Sequence, residues 1–228
     1  MLNCELCDIE LCELFPICVY EYQAVISSTN DRVRELFNKS LTGEVCGVVE
    51  SCESRGNCGS KCECFPCLVV AGEQTAGRGR GNKRWWSGVG GLMMSFGFEL
   101  GSDYFPIQRE FLPDFSPVVG GVVAEVLGQY ILPSDVIEIR HPNDVYVNNK
   151  KIAGILIESP IPDFAVIGIG ININNSAKNA PVDFNREITT VFDLTGKKNE
   201  LRKILLEFVA AFFDKINHLS QSTNSSGL

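Results

Sequence analysis

No cysteine follows Cys67 in this 228-residue chain, and all ten cysteines fall between Cys4 and Cys67. No disulfide can therefore tie down the chain beyond that point. The even count would suit a disulfide framework, yet nothing else points to secretion. Met1–Glu10 carries Glu5, Asp8 and Glu10 and no basic residue. It lacks the basic segment of a secretory signal, which predicts a cytoplasmic protein. No apolar run has the length of a bilayer span, so no membrane partner is expected. Positive charge is also short: 20 Lys and Arg face 28 Asp and Glu, a net charge of −8. That excludes a generic nucleic-acid binder, because gripping a polyanion needs a cationic surplus. There is no internal repeat.

What remains is an ordinary globular balance, 45% hydrophobic and 21% charged, in a chain long enough for one α/β domain with a sizeable core. The scarce cations are not spread evenly: Arg78, Arg80, Lys83 and Arg84 crowd into seven residues. A basic loop on an acidic protein suits a small anionic ligand, although a solvated charged loop gives the same pattern.

Hydrophobic periodicity places the elements. Cys18–Ile26 alternates as a strand. Ser28 and Asp31 form a capping-box start for a helix whose apolar stripe is Val33, Leu36 and Phe37. Residues 46–67 are rich in Cys, Gly, Ser and Glu without a period, which predicts a loop or inserted lobe. Cys67–Ala71 is a buried strand, Gly77–Gly91 a long basic loop, and Leu92–Leu100 a strand. Ser116–Tyr130 has helical spacing, with Gly120 and Gly121 permitting close packing. Val136–Arg140 and Val145–Val147 are strands, and Asn148-Asn149 is a tight turn into the returning strand Lys151–Glu158. Ala165–Ile173 is expected at the centre of the sheet, and Glu200–Leu219 is an amphipathic helix before a polar tail expected to be disordered from Ser220.

Three segments carry chemistry. Gly72–Gly81 (GEQTAGRGRG), with Lys83, Arg84, Trp85 and Trp86, follows a strand. Its glycines let backbone N–H groups approach a ligand, its arginines supply planar donors for carboxylate or phosphate, and its aromatic pair can close over a flat ring. It is not a P-loop, because Gly-Lys-Ser/Thr is absent, nor a dinucleotide fingerprint, because Asn82 stands where the last glycine would be. Asn143 and Asp144 sit at a strand end, where they can orient a phosphate-bound Mg²⁺ or a hydroxyl, and Lys151 leads the strand opposite. In Gly168-Ile169-Gly170-Ile171-Asn172 two glycines mark a close approach, and the polar Asn172 needs a partner.

These segments, in this order, resemble the signatures of the biotin–protein ligases. Ser28-Thr29-Asn30 matches the first, Gly77-Arg78-Gly79-Arg80-Gly81 with Trp85 the second, Pro142-Asn143-Asp144 with Lys151–Leu156 the third, and Gly168–Asn172 the last. The resemblance covers roughly Val25–Leu219 apart from the cysteine-rich insert. It implies a mixed, largely antiparallel β-sheet packed against helices, an α/β fold of the α+β type. It implies one catalytic domain over 1–228, with the insert at about 46–67 and no room for a winged-helix or C-terminal β-barrel domain. By the resemblance, Ser28, Thr29, Gln74, Gly77, Arg78 and Lys151 contact biotin. Arg80, Trp85, Asn143, Gly154, Ile155 and Asn172 hold ATP, and Asn143, Asp144 and Asn172 hold its Mg²⁺. Lys151 and Arg80 are the catalytic candidates. The implied reaction forms biotinyl-AMP from biotin and ATP, then transfers biotin to a lysine of the carrier domain of a carboxylase. A homodimer through the sheet is implied as well.

The sequence departs from the pattern at Arg140, where the family has Lys, and at His141, where it has Trp; a core-facing His there would need a hydrogen-bond partner. Two other functions remain open. A lipoate– or octanoate–protein ligase shares the fold, but its Arg-Arg…Gly-Gly-Gly…His-Asp signature is absent. A non-catalytic biotin- or carrier-binding homologue is the other. The Cys64–Cys67 and Cys4–Cys7 pairs have zinc-ligand spacing, but the spacings from Cys46 to Cys62 fit no common finger, which favours free thiols in a flexible insert.

Overall fold

The computed structural model describes residues 10–42, 65–81, 83–185 and 187–225. The cysteines at 4, 7, 46, 52, 58, 62 and 64 lie outside them, as does Asn82. Seven strands form one sheet: β1 (Val19–Ile26), β2 (Cys67–Gln74), β3 (Leu92–Glu99), β4 (Ile137–Arg140), β5 (Asp144–Val147), β6 (Lys150–Ile161) and β7 (Phe164–Ile171), in the order β1-β2-β3-β7-β6-β5-β4. Among these seven described strands only β1 and β2 pair in parallel. The helices are α1 (Glu10–Leu14), α2 (Thr29–Leu41), α3 (Leu112–Leu127), α4 (Val182–Asn185), α5 (Val191–Thr195) and α6 (Leu201–Ser225). None among the described residues is long and apolar enough to cross a membrane.

The two faces of the sheet are sorted by strand period. On β7, Ala165, Ile167, Ile169 and Ile171 join the larger core under α3 and α6, while Phe164 and Val166 join a smaller one under α2. β2 divides the same way, Leu68 and Val70 against Cys67 and Val69. The α6 stripe Ile204, Leu205, Phe208, Phe212, Phe213 and Ile216 is buried, with Phe212 stacked on Phe96 at 4.7 Å. Gly120 of α3 lets the helix lie on the sheet, because a Cβ there would sit 3.3 Å from Ile139 Cγ2. Cys67 packs in the smaller core, where burial pushes its thiol pKa up. It cannot serve as a metal thiolate without unpacking, which counts against the Cys64–Cys67 pair as a zinc clip.

Four local expectations change. Ser28 occupies the N-cap position of α2, but its hydroxyl makes no capping bond. Instead Gln74 Oε1 accepts from the Thr29 N–H at 2.8 Å, and Asp31 turns outward to Arg78 and Arg34. Helix α3 begins four residues before Ser116 because Pro113 sits in the first turn, where no N–H is needed. Of the tail from Ser220, the residues to Ser225 extend α6, and the last three lie outside the described residues. His141 is exposed rather than core-facing, so its departure from Trp leaves no buried imidazole to satisfy. Asn148 and Asn149 do form the two-residue turn, both with positive φ (48° and 65°).

Candidate active site

Helix α2 covers only half of the sheet face it packs on. Along β7 the residues facing it run Phe164, Val166, Gly168, Gly170, so side chains give way to glycines where the helix begins. Gly170 is directly opposite Gly154 of β6. Together they form a floor without side chains, and the Trp85 indole lies on it. A Cβ at Gly170 would fall 2.4 Å from Trp85 Cε2, and one at Gly154 3.1 Å from Cζ3. The Trp85 Nε1 is buried there without a hydrogen-bond partner. Trp86 takes no part, folding back on Gly88.

The indole is delivered by an arm after β2. Gly79 N–H donates to Lys83 O at 2.8 Å, and Trp85 N–H donates to Gly77 O at 2.9 Å. Gly81 at the tip takes φ 64°, a conformation that favours glycine. The basic loop is thus a narrow ribbon that carries Arg80, Lys83 and Arg84 outward. Arg78 at its base is tied down: it reaches Asp31 at 2.5 Å and Glu158 at 3.2 Å, and Arg34 reaches Glu158 at 2.5 Å. The Asp31 hydrogen bond, with Glu158 behind it, raises the Arg78 pKa.

The polar end of the cleft is the start of α2. Thr29 Oγ1 lies 3.2 Å from Gln74 Oε1, and the Gln74 amide donates to Ser87 Oγ at 3.1 Å. Buried Ser95 Oγ sits 2.6 Å from both Thr29 Oγ1 and Asn30 Oδ1, and Asn30 Nδ2 donates to Glu158 at 2.6 Å. The charged end lies across the floor. Lys151 Nζ pairs with Asp144 at 2.6 Å and stands 5.4 Å from the Trp85 ring centre. Asn143 is locked to β6: its Nδ2 donates to Ile155 O at 2.8 Å, leaving Oδ1 for a ligand. The resulting cleft encloses about 120 Å³ and is open to solvent. A low, side-chain-free floor, hydrogen-bonding groups at one end and, besides the ion-paired Arg78, four cations against Asp144 suit a flat polar ring joined to an anion.

Of the residues singled out from sequence, Ser28, Thr29, Gln74, Arg78, Arg80, Trp85, Asn143, Asp144, Lys151, Gly154 and Ile155 line this cleft. Gly77 and Asn172 are not among its lining residues. Gly77 packs behind the arm, with room for no Cβ beside the Trp85 carbonyl. Asn172, 2% exposed, has its Oδ1 occupied by Asn175 at 2.9 Å. A hard dication needs oxygen ligands, and here Asp144 and the Asn143 Oδ1 fit that need while Asn172 does not. No group of three or more His, Cys, Asp or Glu able to hold a metal occurs among the described residues. Sequence reasoning gave no role to Ser95 and Glu158. Ser95 had a signal: a polar residue inside the apolar run LMMSFGFEL requires a partner.

Residues 65–174 match the biotin/lipoate A/B protein ligase family. Across 206 residues the chain is 31% identical to the bifunctional ligase/repressor BirA of Bacillus spizizenii, covering 86% of this chain and 54% of that protein. It is 30% identical over 129 residues to the biotin–[acetyl-CoA-carboxylase] ligase of Mycobacterium tuberculosis, covering 56% of this chain and 45% of that protein. The chain thus spans about half the length of these relatives. Among solved structures, the biotin protein ligase of Aquifex aeolicus in complex with biotin and ATP superposes with a TM-score of 0.64 at 28% identity, covering 87% of this chain and 70% of that one. The Leishmania major biotin protein ligase, in complex with biotinyl-5-AMP, shares the fold, with a TM-score of 0.65 at 24% identity, covering 88% and 75%.

Proposed function

The chain belongs to the biotin/lipoate A/B protein ligase family, and from that premise we propose that it adenylates biotin and passes it to a lysine of a biotin carrier domain. The observation that carries this reading is the cleft itself: a polar end built on Thr29 and Gln74, a glycine floor under an indole, and a cationic end at Lys151 and the arm. Biotin offers a ureido ring with both donors and acceptors, an apolar body and a carboxylate, in that order. Thr29 and Gln74 are paired within the protein but keep spare acceptor capacity at the cleft, which a lipoyl group, with no hydrogen-bonding ring, would not use; this disfavours the lipoate or octanoate alternative.

In the first step a biotin carboxylate oxygen attacks the α-phosphorus of ATP and the bond to pyrophosphate breaks. Two anions meet, so cations must lie at the join. Lys151, held in place by Asp144, and Arg80 on the arm supply them. Arg78 has its charge offset by Asp31 and Glu158, so it anchors the arm instead. Asn143, Gly154 and Ile155 border the nucleotide. Magnesium would enter with ATP, with Asp144 and the Asn143 Oδ1 as its protein oxygens. In the second step the carrier lysine amine attacks the acyl carbon and AMP leaves. The Trp85 arm shields the mixed anhydride from water until then.

The reading extends to a carboxylase carrier domain as partner, to a homodimer, and to the cytoplasm. The dimer is supported by β1 and β4 at the two ends of the sheet, where Val25 and Ile139 are exposed. Incubation with biotin, ATP and Mg²⁺ should release pyrophosphate and give biotinyl-AMP by mass spectrometry, while lipoate should not. Biotin binding without an adenylate would establish the non-catalytic alternative instead. Light scattering at micromolar concentration should give twice the chain mass; a monomer mass would remove the dimer.

A further inference from the structure

We infer that Glu158, Asn30 and Ser95 form a hydrogen-bond relay that sets the Thr29 hydroxyl as an acceptor toward the cleft, so that this end of the site demands a ligand N–H. The inference rests on the proposed function and assigns three positioning residues to it. It follows from counting protons. Glu158 is a carboxylate gripped by Arg34 at 2.5 Å and Arg78 at 3.2 Å. A carboxylate only accepts, so the Asn30 amide 2.6 Å away must turn its Nδ2 toward Glu158 and its Oδ1 toward Ser95. That oxygen has no proton, so at the 2.6 Å contact Ser95 donates to it. Ser95 has only one proton, and its other contact is Thr29 Oγ1, also at 2.6 Å. There Thr29 must donate, in preference to the longer 3.2 Å contact its hydroxyl makes with Gln74 Oε1. Its own single proton is then spent inside the protein, and what Oγ1 presents to the cleft is a lone pair.

The surroundings hold this state. Ser95 is fully buried, so no water competes for its proton. Gly168 makes room for the relay, because a Cβ there would fall 2.1 Å from Asn30 Oδ1. On the other side Gln74 Oε1 already accepts from the Thr29 N–H at 2.8 Å, which fixes that amide as well. Two hydrogen-bonding side chains facing the ligand are thus pre-set, and a ligand whose ring lacks an N–H meets a lone pair it cannot satisfy.

The relay can be reversed by one atom. In Glu158→Gln the two arginines retain the single amide oxygen, which leaves the new NH₂ facing Asn30. Asn30 then turns over, donates to Ser95, and Ser95 donates to Thr29, whose proton is released toward the cleft. Adding Asn30→Asp restores the original direction, since the carboxylate introduced there accepts both from the new amide and from Ser95. Glu158→Gln should weaken biotin about tenfold by calorimetry and raise KM for biotin, with kcat and KM for ATP within about twofold of the parent. Asn30→Asp with Glu158→Gln should recover most of the loss. In a Ser95→Ala background, where the relay is cut, Glu158→Gln should change biotin affinity by less than about twofold. The proposal is overturned if the double variant binds no better than Glu158→Gln, if kcat falls in parallel, or if Ser95→Ala leaves the Glu158→Gln effect intact. A parent protein that binds no biotin would overturn the functional reading and the relay together.

Discussion

Gly170→Ala tests the floor of the cleft directly. The added methyl would start 2.4 Å from Trp85 Cε2, 2.5 Å from Nε1 and 2.7 Å from Cζ2. Carbon atoms in contact stand about 3.5 Å apart, so the indole must rise by about 1 Å. Inserting a methylene into a packed site costs about 1–3 kcal/mol. Trp85 belongs to an arm that is otherwise solvated, so the ring can yield and little of that cost should reach folding. Ligand binding should not escape it, because in the proposed site the ligand shares the floor with the ring. Roughly fivefold to 150-fold weaker biotin binding is expected, with a melting temperature close to that of the parent. Gly154→Ala should do much less, since its methyl meets Trp85 and Lys151 at 3.1–3.3 Å and needs only small shifts. The chain has two tryptophans, so the emission spectrum reports the displacement as a red shift. Unchanged emission and unchanged biotin affinity in Gly170→Ala would refute the placement of the indole. An equal effect at Gly154 would refute the ordering.

Lys151→Ala should lower adenylation by roughly tenfold to 150-fold, the value of one charge-assisted hydrogen bond, while barely changing thermal stability, because its partner Asp144 can be rehydrated; equal losses would mark a structural lysine. Arg80→Gly should let biotinyl-AMP escape and label unrelated lysines, read by mass spectrometry of a bystander protein, and retained carrier selectivity would refute the retaining role of the arm. Tyr130→Phe addresses stability: burial and then the Glu207 carboxylate raise the Tyr130 pKa above the ordinary 10.0. The folded state therefore holds the phenol proton where the unfolded chain has lost it, so this contribution is complete below about pH 10 and fades as pH rises further. Urea titrations should show a loss of about 1 kcal/mol at neutral pH and a shallower alkaline decline in the variant; an identical alkaline slope would remove Tyr130 as its source.

Most of the fold, and most of the membership of the site, is legible along the chain. Near-continuous apolar runs place the buried strands, the α6 stripe appears at helical spacing, and Asn148-Asn149 specifies a turn that needs two positive φ angles. These are local signals, written within one element. Eleven of the thirteen site residues proposed from the sequence line the cleft, and their roles there await the experiments above. Who faces whom is settled in three dimensions. The pairing of Gly154 with Gly170 depends on the register between β6 and β7, so no spacing in the chain announces a floor. Arg78 and Arg80 are flanked by glycines alike, yet Asp31 and Glu158, contributed by different elements, turn one arginine into an anchor while the other is carried along the arm. Asn172 is drawn into the candidate site by its motif and is turned to Asn175 by packing. Ser95, whose polarity in an apolar strand calls for a partner without naming it, joins two residues at the α2 start through its hydrogen bonds, and Asn30 carries the link on to β6. Periodicity records which face a side chain takes, because that is a property of one backbone; partners are fixed by how the elements are stacked, which no single segment encodes.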